Sequence, residues 1–229
     1  MTKHIGIVAC SAGGAALCYK TICEEGAKYL GPHGHPEVSL HTYSLADYVK
    51  CLDEDDWQGV ADIMLASAEK LAANGADFLI CPDNTIHKAF HYFGDRSPLP
   101  WLHIAEVVAE EAANRNFSKL GLTGTKWLVE SETYPDKLAA HNLDFLRPES
   151  EERQEISRII MDELVYGELK PESTAYFQQV IGGLKERGCD AVVLGCTEIP
   201  LIIDDSNSPL PTLDSTRLLA RKALSLAVA

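Results

Sequence analysis

The chain predicts an α/β protein made of two similar α/β domains with parallel-type sheets, and three observations carry the prediction. Short apolar, β-branched runs such as Ile5-Gly6-Ile7-Val8-Ala9 and Ala191-Val192-Val193-Leu194 alternate with longer stretches whose apolar residues recur at helical spacing. The strand-like runs are apolar at successive positions, the pattern of parallel strands covered by helices on both faces. An internal repeat completes the case. Gly6 to Gly75 is 69 residues and Gly121 to Gly188 is 67, and in both halves a Gly-x-Asp leads into an apolar run.

In order, Ile5–Ala9 reads as a first buried strand, followed by the small-residue loop Cys10-Ser11-Ala12-Gly13-Gly14 and a helix over 15–30. Small residues there allow backbone amides at a helix start to approach an anion, although the Lys-Ser/Thr partner of a P-loop is missing. The cluster Gly31-Pro32-His33-Gly34-His35-Pro36 breaks the chain before a strand over 38–43. Residues 47–57 are acidic and read as a connecting loop with one helical turn, and 60–74 as a helix closed by Asn74-Gly75. A strand over 76–81, a helical segment, a short strand over 101–104 and a helix over 105–115 end the first half. The second half repeats this grammar. It has a strand at Lys119-Leu120-Gly121-Leu122-Thr123, helices over 131–141, 150–166 and 172–187, and a strand near Phe145. The Ala191–Leu194 strand follows, then a tail of Leu213-Asp214-Ser215 and an apolar helix. The expected domains are 1–104 with 213–229, and 105–212.

Composition excludes several function classes. A net charge of −14 leaves no basic patch able to bind nucleic acid or an anionic membrane. The first strand begins at Ile5 with no signal-peptide core before it, and no apolar run approaches the ~20 residues that span a bilayer, so a cytoplasmic location is expected. Seven cysteines, with no Cys-x-x-Cys, fit reduced thiols rather than a disulfide framework or zinc site. His33 and His35 read as loop residues, and no metal or cofactor is expected.

The strand ends carry the chemistry. From Gly75 to Asp83 is eight residues, as is Gly188 to Cys196, so Asp83 and Cys196 are counterparts. In open α/β sheets ligands bind at the carboxyl ends of strands. If the halves pack face to face about a pseudo-twofold axis, the two ends meet across one cleft, each with a group that can take a proton. Inverting a stereocentre requires such a base on one face and an acid on the other. Asn84, Thr85 and Thr197 add an amide, hydroxyls and backbone N–H groups suited to a carboxylate and to the enolate-like charge that builds as an α-proton leaves.

At these residues the chain resembles the aspartate/glutamate racemase superfamily. Gly195-Cys196-Thr197-Glu198-Ile199-Pro200 is similar to the family's second-half signature, and Asp83-Asn84-Thr85-Ile86-His87 to its first-half Cys-Asn-Thr-x-His. The likeness extends to Ile5-Gly6-Ile7, Gly124-Thr125, Glu163 to Lys170 and Asp214-Ser215. Glu198 is similar to the aspartate-racemase branch. The resemblance implies two α/β domains related by a pseudo-twofold axis with the active-site cleft between them, a homodimer, and two thiols that act without pyridoxal phosphate or metal. It implies Cys196 as a catalytic thiol, with Ser11, Asn84, Thr85, Thr125, Thr197 and Glu198 as substrate-binding residues and Lys170 facing the side-chain carboxylate of a small acidic amino acid. His87 is expected to act behind the site.

The departure is Asp83, which stands where the family has its first cysteine. A carboxylate of ordinary pKa about 3.9 is a far weaker base than a thiolate from a group near 8.5, although burial raises a carboxyl pKa. Three readings follow: Asp83 and Cys196 as an asymmetric acid/base pair, Cys196 alone in a single-thiol decarboxylase or isomerase of a small diacid, or a non-catalytic binder of small acids. Cys81 and Cys10 are the candidate stand-ins for the missing thiol.

Overall fold

The strands form where apolar runs are buried on both faces. Ile5–Ala9 (β1) is buried at every position, as are Phe78–Ile80 (β3) and Ala191–Leu194 (β7). The structure is a computed structural model and describes residues 2–229. Met1, where the sequence begins, lies outside the described residues. Two compact units are present, Met1–Ile104 with Thr216–Ala229, and Ala105–Ser215.

The first unit holds a parallel sheet in the order β2-β1-β3-β4, with β2 at Val38–Thr42 and β4 at Trp101–Leu102. Ile7 pairs with Leu40 on one side and Ile80 on the other. Its helices are α1 (Ala12–Leu30), α2 (Leu45–Asp53), α3 (Trp57–Ala73) and the short α4 (Phe90–Phe93). The Ser11 side chain accepts the Gly14 N–H at 3.4 Å, so α1 starts earlier than the apolar spacing predicts. The acidic stretch predicted as a loop is α2. Ser44 caps it, and Leu45, Tyr48 and Leu52 fall at helical spacing, with Tyr48 and Leu52 buried. That short apolar stripe outweighs the surrounding charge.

The second unit repeats the topology in the order β6-β5-β7-β8. Here β5 is Lys119–Thr123, β6 Asp144–Leu146 and β8 Thr212–Asp214, all parallel. Because β8 pairs with β7, residues 213–215 belong with this unit rather than the first. Its helices are α5 (Ile104–Asn114), α6 (Lys126–Val129), α7 (Pro135–Ala140), α8 (Ser150–Asp162) and α9 (Pro171–Glu186). Where one helix over 131–141 is expected, two short ones occur. Thr125 caps α6, and Pro135, with no N–H to donate, sits in the first turn of α7. The helix expected to reach Tyr166 stops at Asp162 and gives way to a 3₁₀ turn and to Gly167 at φ 77°.

Ile156, Ile159 and Ile160 of α8 and Phe177, Val180, Ile181 and Leu184 of α9 form one core with Val192 and Leu194 of β7. Each such buried side chain contributes about 1.5–3 kcal/mol. The last helix, α10 (Ser215–Val228), lies mostly in the first unit, where Ala227 O accepts the Lys3 N–H at 2.8 Å and Arg221 grips the Glu25 carboxylate with Nε at 3.0 Å and Nη2 at 2.8 Å.

Candidate active site

Cys196 follows β7 by two residues, and a pair of glycines sets its place. The Gly195 N–H donates to Thr123 O at 2.9 Å, and a Cβ on Gly195 would lie 2.5 Å from that same oxygen. Gly124 has φ 155°, and its Cβ would meet Gly195 O at 2.9 Å. Only residues without a Cβ allow the ends of β5 and β7 to approach this closely. The register Thr123↔Leu194, followed two residues further along both strands, sets Thr125 level with Cys196.

The Cys196 thiol is 8 % exposed and sits at the edge of the α8/α9 core. It donates to Glu198 Oε2 at 3.0 Å, and the Thr197 hydroxyl donates to the same oxygen at 2.5 Å. Glu198, itself buried, thus collects two donors within its own turn. This compact arrangement places a carboxylate against the thiol, where it orients the S–H.

At the end of β3 the chain turns through Cys81, Pro82 and Asp83. Asp83 is half-buried, and its Oδ1 accepts the Thr85 N–H at 3.1 Å. Asn84 and Thr85 are buried beside it. His87 is fully enclosed, and its Nε2 lies 3.0 Å from the Cys81 carbonyl oxygen. Burial outweighs that hydrogen bond and lowers the His87 pKa to about 4, so near neutral pH the ring is uncharged and donates through Nε2. His87 therefore pins the exit of β3. Its ring packs against His103, with centroids 4.6 Å apart. Cys81 is fully buried, which pushes its thiol well above the ordinary range, and its Sγ approaches the Asp83 backbone oxygen at 3.8 Å.

Lys170, expected to face a substrate carboxylate, is half-exposed at the start of α9 and held by two acidic side chains of its own segment. Its Nζ lies 3.1 Å from Glu168 Oε2 and 3.5 Å from Glu163 Oε1. Glu163 is buried and also receives the Ser173 hydroxyl at 2.5 Å and Arg158 Nη1 at 2.9 Å; these donors, Ser173 foremost, hold its carboxyl below the usual range. Ser11 and Thr125 both serve as helix caps, Thr125 Oγ1 accepting the Leu128 N–H at 3.4 Å. Among the described residues no group of three or more His, Cys, Asp and Glu is arranged to hold a metal ion. No described helix is long and apolar enough to cross a membrane.

Sequence reasoning missed Tyr48. It is completely buried on α2, and burial first, then the nearby Cys10, Cys81 and Asp83, raise its pKa far above the phenol range. Its surroundings thus take in Cys10, Cys81 and Asp83, after the ends of β1 and β3, and Ser67 of α3. The Leu45/Tyr48/Leu52 spacing behind the Ser44 cap was the signal that could have found it.

The Asp/Glu/hydantoin racemase family model matches residues 5–223. The chain belongs to this family. A candidate Asp/Glu racemase from Yersinia pestis shares 27 % identity, covering 99 % of this chain and 100 % of its own, with a TM-score of 0.89. An aspartate racemase homologue from Pyrococcus horikoshii shares 28 % over 100 % of both chains, with a TM-score of 0.84. The broad-specificity amino-acid racemase RacX of Bacillus subtilis (strain 168) is 23 % identical over 195 residues, 83 % of this chain and 82 % of RacX. Two four-stranded parallel α/β units are what these racemase structures share with the chain, and the family membership supports a racemase-like function.

Proposed function

We propose that the protein interconverts the enantiomers of a small acidic amino acid, aspartate or glutamate, by cofactor-independent proton transfer at Cα. Cys196 removes or returns the α-proton on one face, and the Asp83 corner of the first unit serves the other face. The observation that carries this reading is the buried Cys196 thiol donating to Glu198 at 3.0 Å, at the end of a strand. A thiol so held is poised for proton transfer. Glu198 is assigned to the thiol rather than to the substrate.

Asn84, Thr85, Thr125 and Thr197, with Ser11 beside them, hold the α-carboxylate and amine, and their hydroxyl, amide and backbone donors stabilise the charge that spreads from Cα into the carboxylate. Lys170 takes the side-chain carboxylate, for which it exchanges its contacts with Glu168 and Glu163. Proton balance is simple. A thiolate becomes a thiol as the C–H bond breaks, the electron pair stays with Cα and its carboxylate, and an acid on the opposite face supplies the new proton.

Incubating each enantiomer of aspartate and glutamate in deuterium oxide, with NMR and chiral chromatography, tests the reading. Inversion with deuterium at Cα is the expected result, and Cys196→Ala abolishes inversion. Absence of both inversion and exchange for all four compounds rejects these substrates, and a fully active Cys196→Ala rejects the assignment of the thiol.

A further inference from the structure

We propose that the atom transferring the proton in the first unit is the Cys10 thiol, with Asp83 as the carboxylate that positions it, so that each unit carries one thiol beside one carboxylate. This rests on the racemase reading above and replaces a direct role of Asp83 with an indirect one.

Strand register gives the first support. β1 and β3 pair through Ile7↔Ile80, and three residues further along both chains stand Cys10 and Asp83. The same counting in the second unit sets Thr125 beside Cys196. The two units thus put their thiols on different strands of an equivalent pair, after β1 in one and after β7 in the other. Cys10 is 5 % exposed, close to the 8 % of Cys196.

The second support is Tyr48, whose surroundings include Cys10, Cys81 and Asp83. Its buried hydroxyl makes no hydrogen bond. Ser67, whose Oγ lies 2.9 Å from His41 Nδ1, also borders this hydroxyl. A buried hydroxyl left in this state costs about 1–3 kcal/mol, and a polar atom of a bound substrate would recover it. An unsatisfied group with Cys10, Cys81 and Asp83 around it marks this corner as a place for a ligand.

Helix α1 adds a reason for this cysteine. Cys10 directly precedes the Ser11 cap of a 19-residue helix with no acidic residue in its first turn. The positive end of the helix favours the thiolate. Cys81 has no such help, being fully enclosed with its thiol pushed strongly upward. In the step itself the Cys10 thiolate takes the α-proton as the C–H bond breaks and becomes a thiol. Cys196 then gives its S–H proton to the opposite face and becomes a thiolate. No oxidant or cofactor enters the balance.

The test uses the full chain and both enantiomers in deuterium oxide. Cys10→Ala and the closer-sized Cys10→Ser should lower inversion at least about 100-fold. They should still exchange the α-proton of one enantiomer, the one served by Cys196, while Cys196→Ala exchanges only the other. Asp83→Asn should keep inversion at a reduced rate, with the acid limb of the kcat/KM profile moved to lower pH because a negative charge beside the thiol is gone, and Asp83→Glu should move it back. Inversion within threefold of wild type in both Cys10 variants, with inversion lost in Asp83→Asn, would overturn the proposal in favour of Asp83 as the direct base. A wild-type protein that neither inverts nor exchanges any acidic amino acid rejects the racemase reading separately. The pairing is then read from alkylation of Cys10 by iodoacetamide, followed by peptide mass spectrometry. Onset about one pH unit lower in Asp83→Asn supports it, and an unmoved onset overturns it.

Discussion

Protonating His87 should destabilise the first unit, and the cost follows from its burial. The ring is enclosed, and its pKa falls from 6.5 to about 4. The unfolded chain therefore binds the proton more readily than the folded one between those values, so stability is full above pH 6.5 and declines as pH falls toward 4. At 1.36 kcal/mol per pKa unit the complete loss is about 3 kcal/mol, of which about 2.5 kcal/mol has gone by pH 4.5. For a chain of this length that corresponds to roughly 5–10 °C in Tm. His87→Gln removes the titration. At pH 7 the variant should be less stable by about 1–2 kcal/mol, through its lost packing and hydrogen bond to Cys81 O. By pH 4.5 the gap should close or reverse. Thermal or urea unfolding at half-unit pH steps reads this directly. Parallel curves for wild type and variant across pH 4–7 would refute the reasoning.

Three further outcomes are expected. Gly195→Ala places a methyl 2.5 Å from Thr123 O, so unfolding should show about 1–3 kcal/mol of lost stability and inversion should fall as Cys196 shifts. Glu163→Gln leaves Arg158 and Lys170 without their shared buried carboxylate; a loss of about 1–3 kcal/mol is expected by calorimetry, smaller if the two half-exposed cations turn to solvent. Arg221 holds the Glu25 carboxyl down to about 2, so the stability it lends exists above the ordinary carboxyl range and is lost as pH falls toward 2. Arg221→Gln should therefore unfold more readily than wild type at pH 6, with the difference vanishing at the acid end of the same titration.

The fold was readable because its signals are local and repeated. Apolar runs at Ile5, Phe78, Leu120 and Ala191 name the inner strands, and the equal spacing from Gly75 to Asp83 and Gly188 to Cys196 names their ends. What escaped was set by small side-chain decisions. Helix α2 is hidden in an acidic stretch because three apolar residues suffice to seat it, and the stop of α8 at Asp162 depends on Glu163 turning inward to Ser173 and Arg158. At the site, the sequence places Cys196 and Glu198 close together, but not the thiol-to-carboxylate hydrogen bond, which follows from both side chains being shut into the same turn. Tyr48 could be seated on α2 by its spacing, but not beside the site, because that placement comes from strands β1 and β3, thirty or more residues away on either side.

The two thiol corners, as proposed, are alike in parts but unequal in balance. Beside Cys196 the carboxylate is 3.0 Å away, and at an effective dielectric near 20 a unit charge at that distance disfavours the thiolate by at most about 5–6 kcal/mol. The turn that follows, Ile199–Leu201, is a single 3₁₀ turn with little dipole to set against it. Cys10 instead precedes a 19-residue helix, whose amino end is worth about 0.3–1 kcal/mol to an anion and up to about 2 in partly buried settings. In the proposed pair, carboxylate influence therefore dominates at Cys196 and is partly offset at Cys10, so the pair at rest should hold its proton on Cys196 and its negative charge at Cys10. That state accepts the enantiomer whose α-hydrogen faces Cys10. Because two enantiomers have equal free energy, kcat/KM must still be equal in both directions, whatever the imbalance of the thiols. The asymmetry can appear only as a matched difference, with a higher kcat and a proportionally higher KM for one enantiomer, and initial rates measured from both sides would show whether the two corners differ in this way.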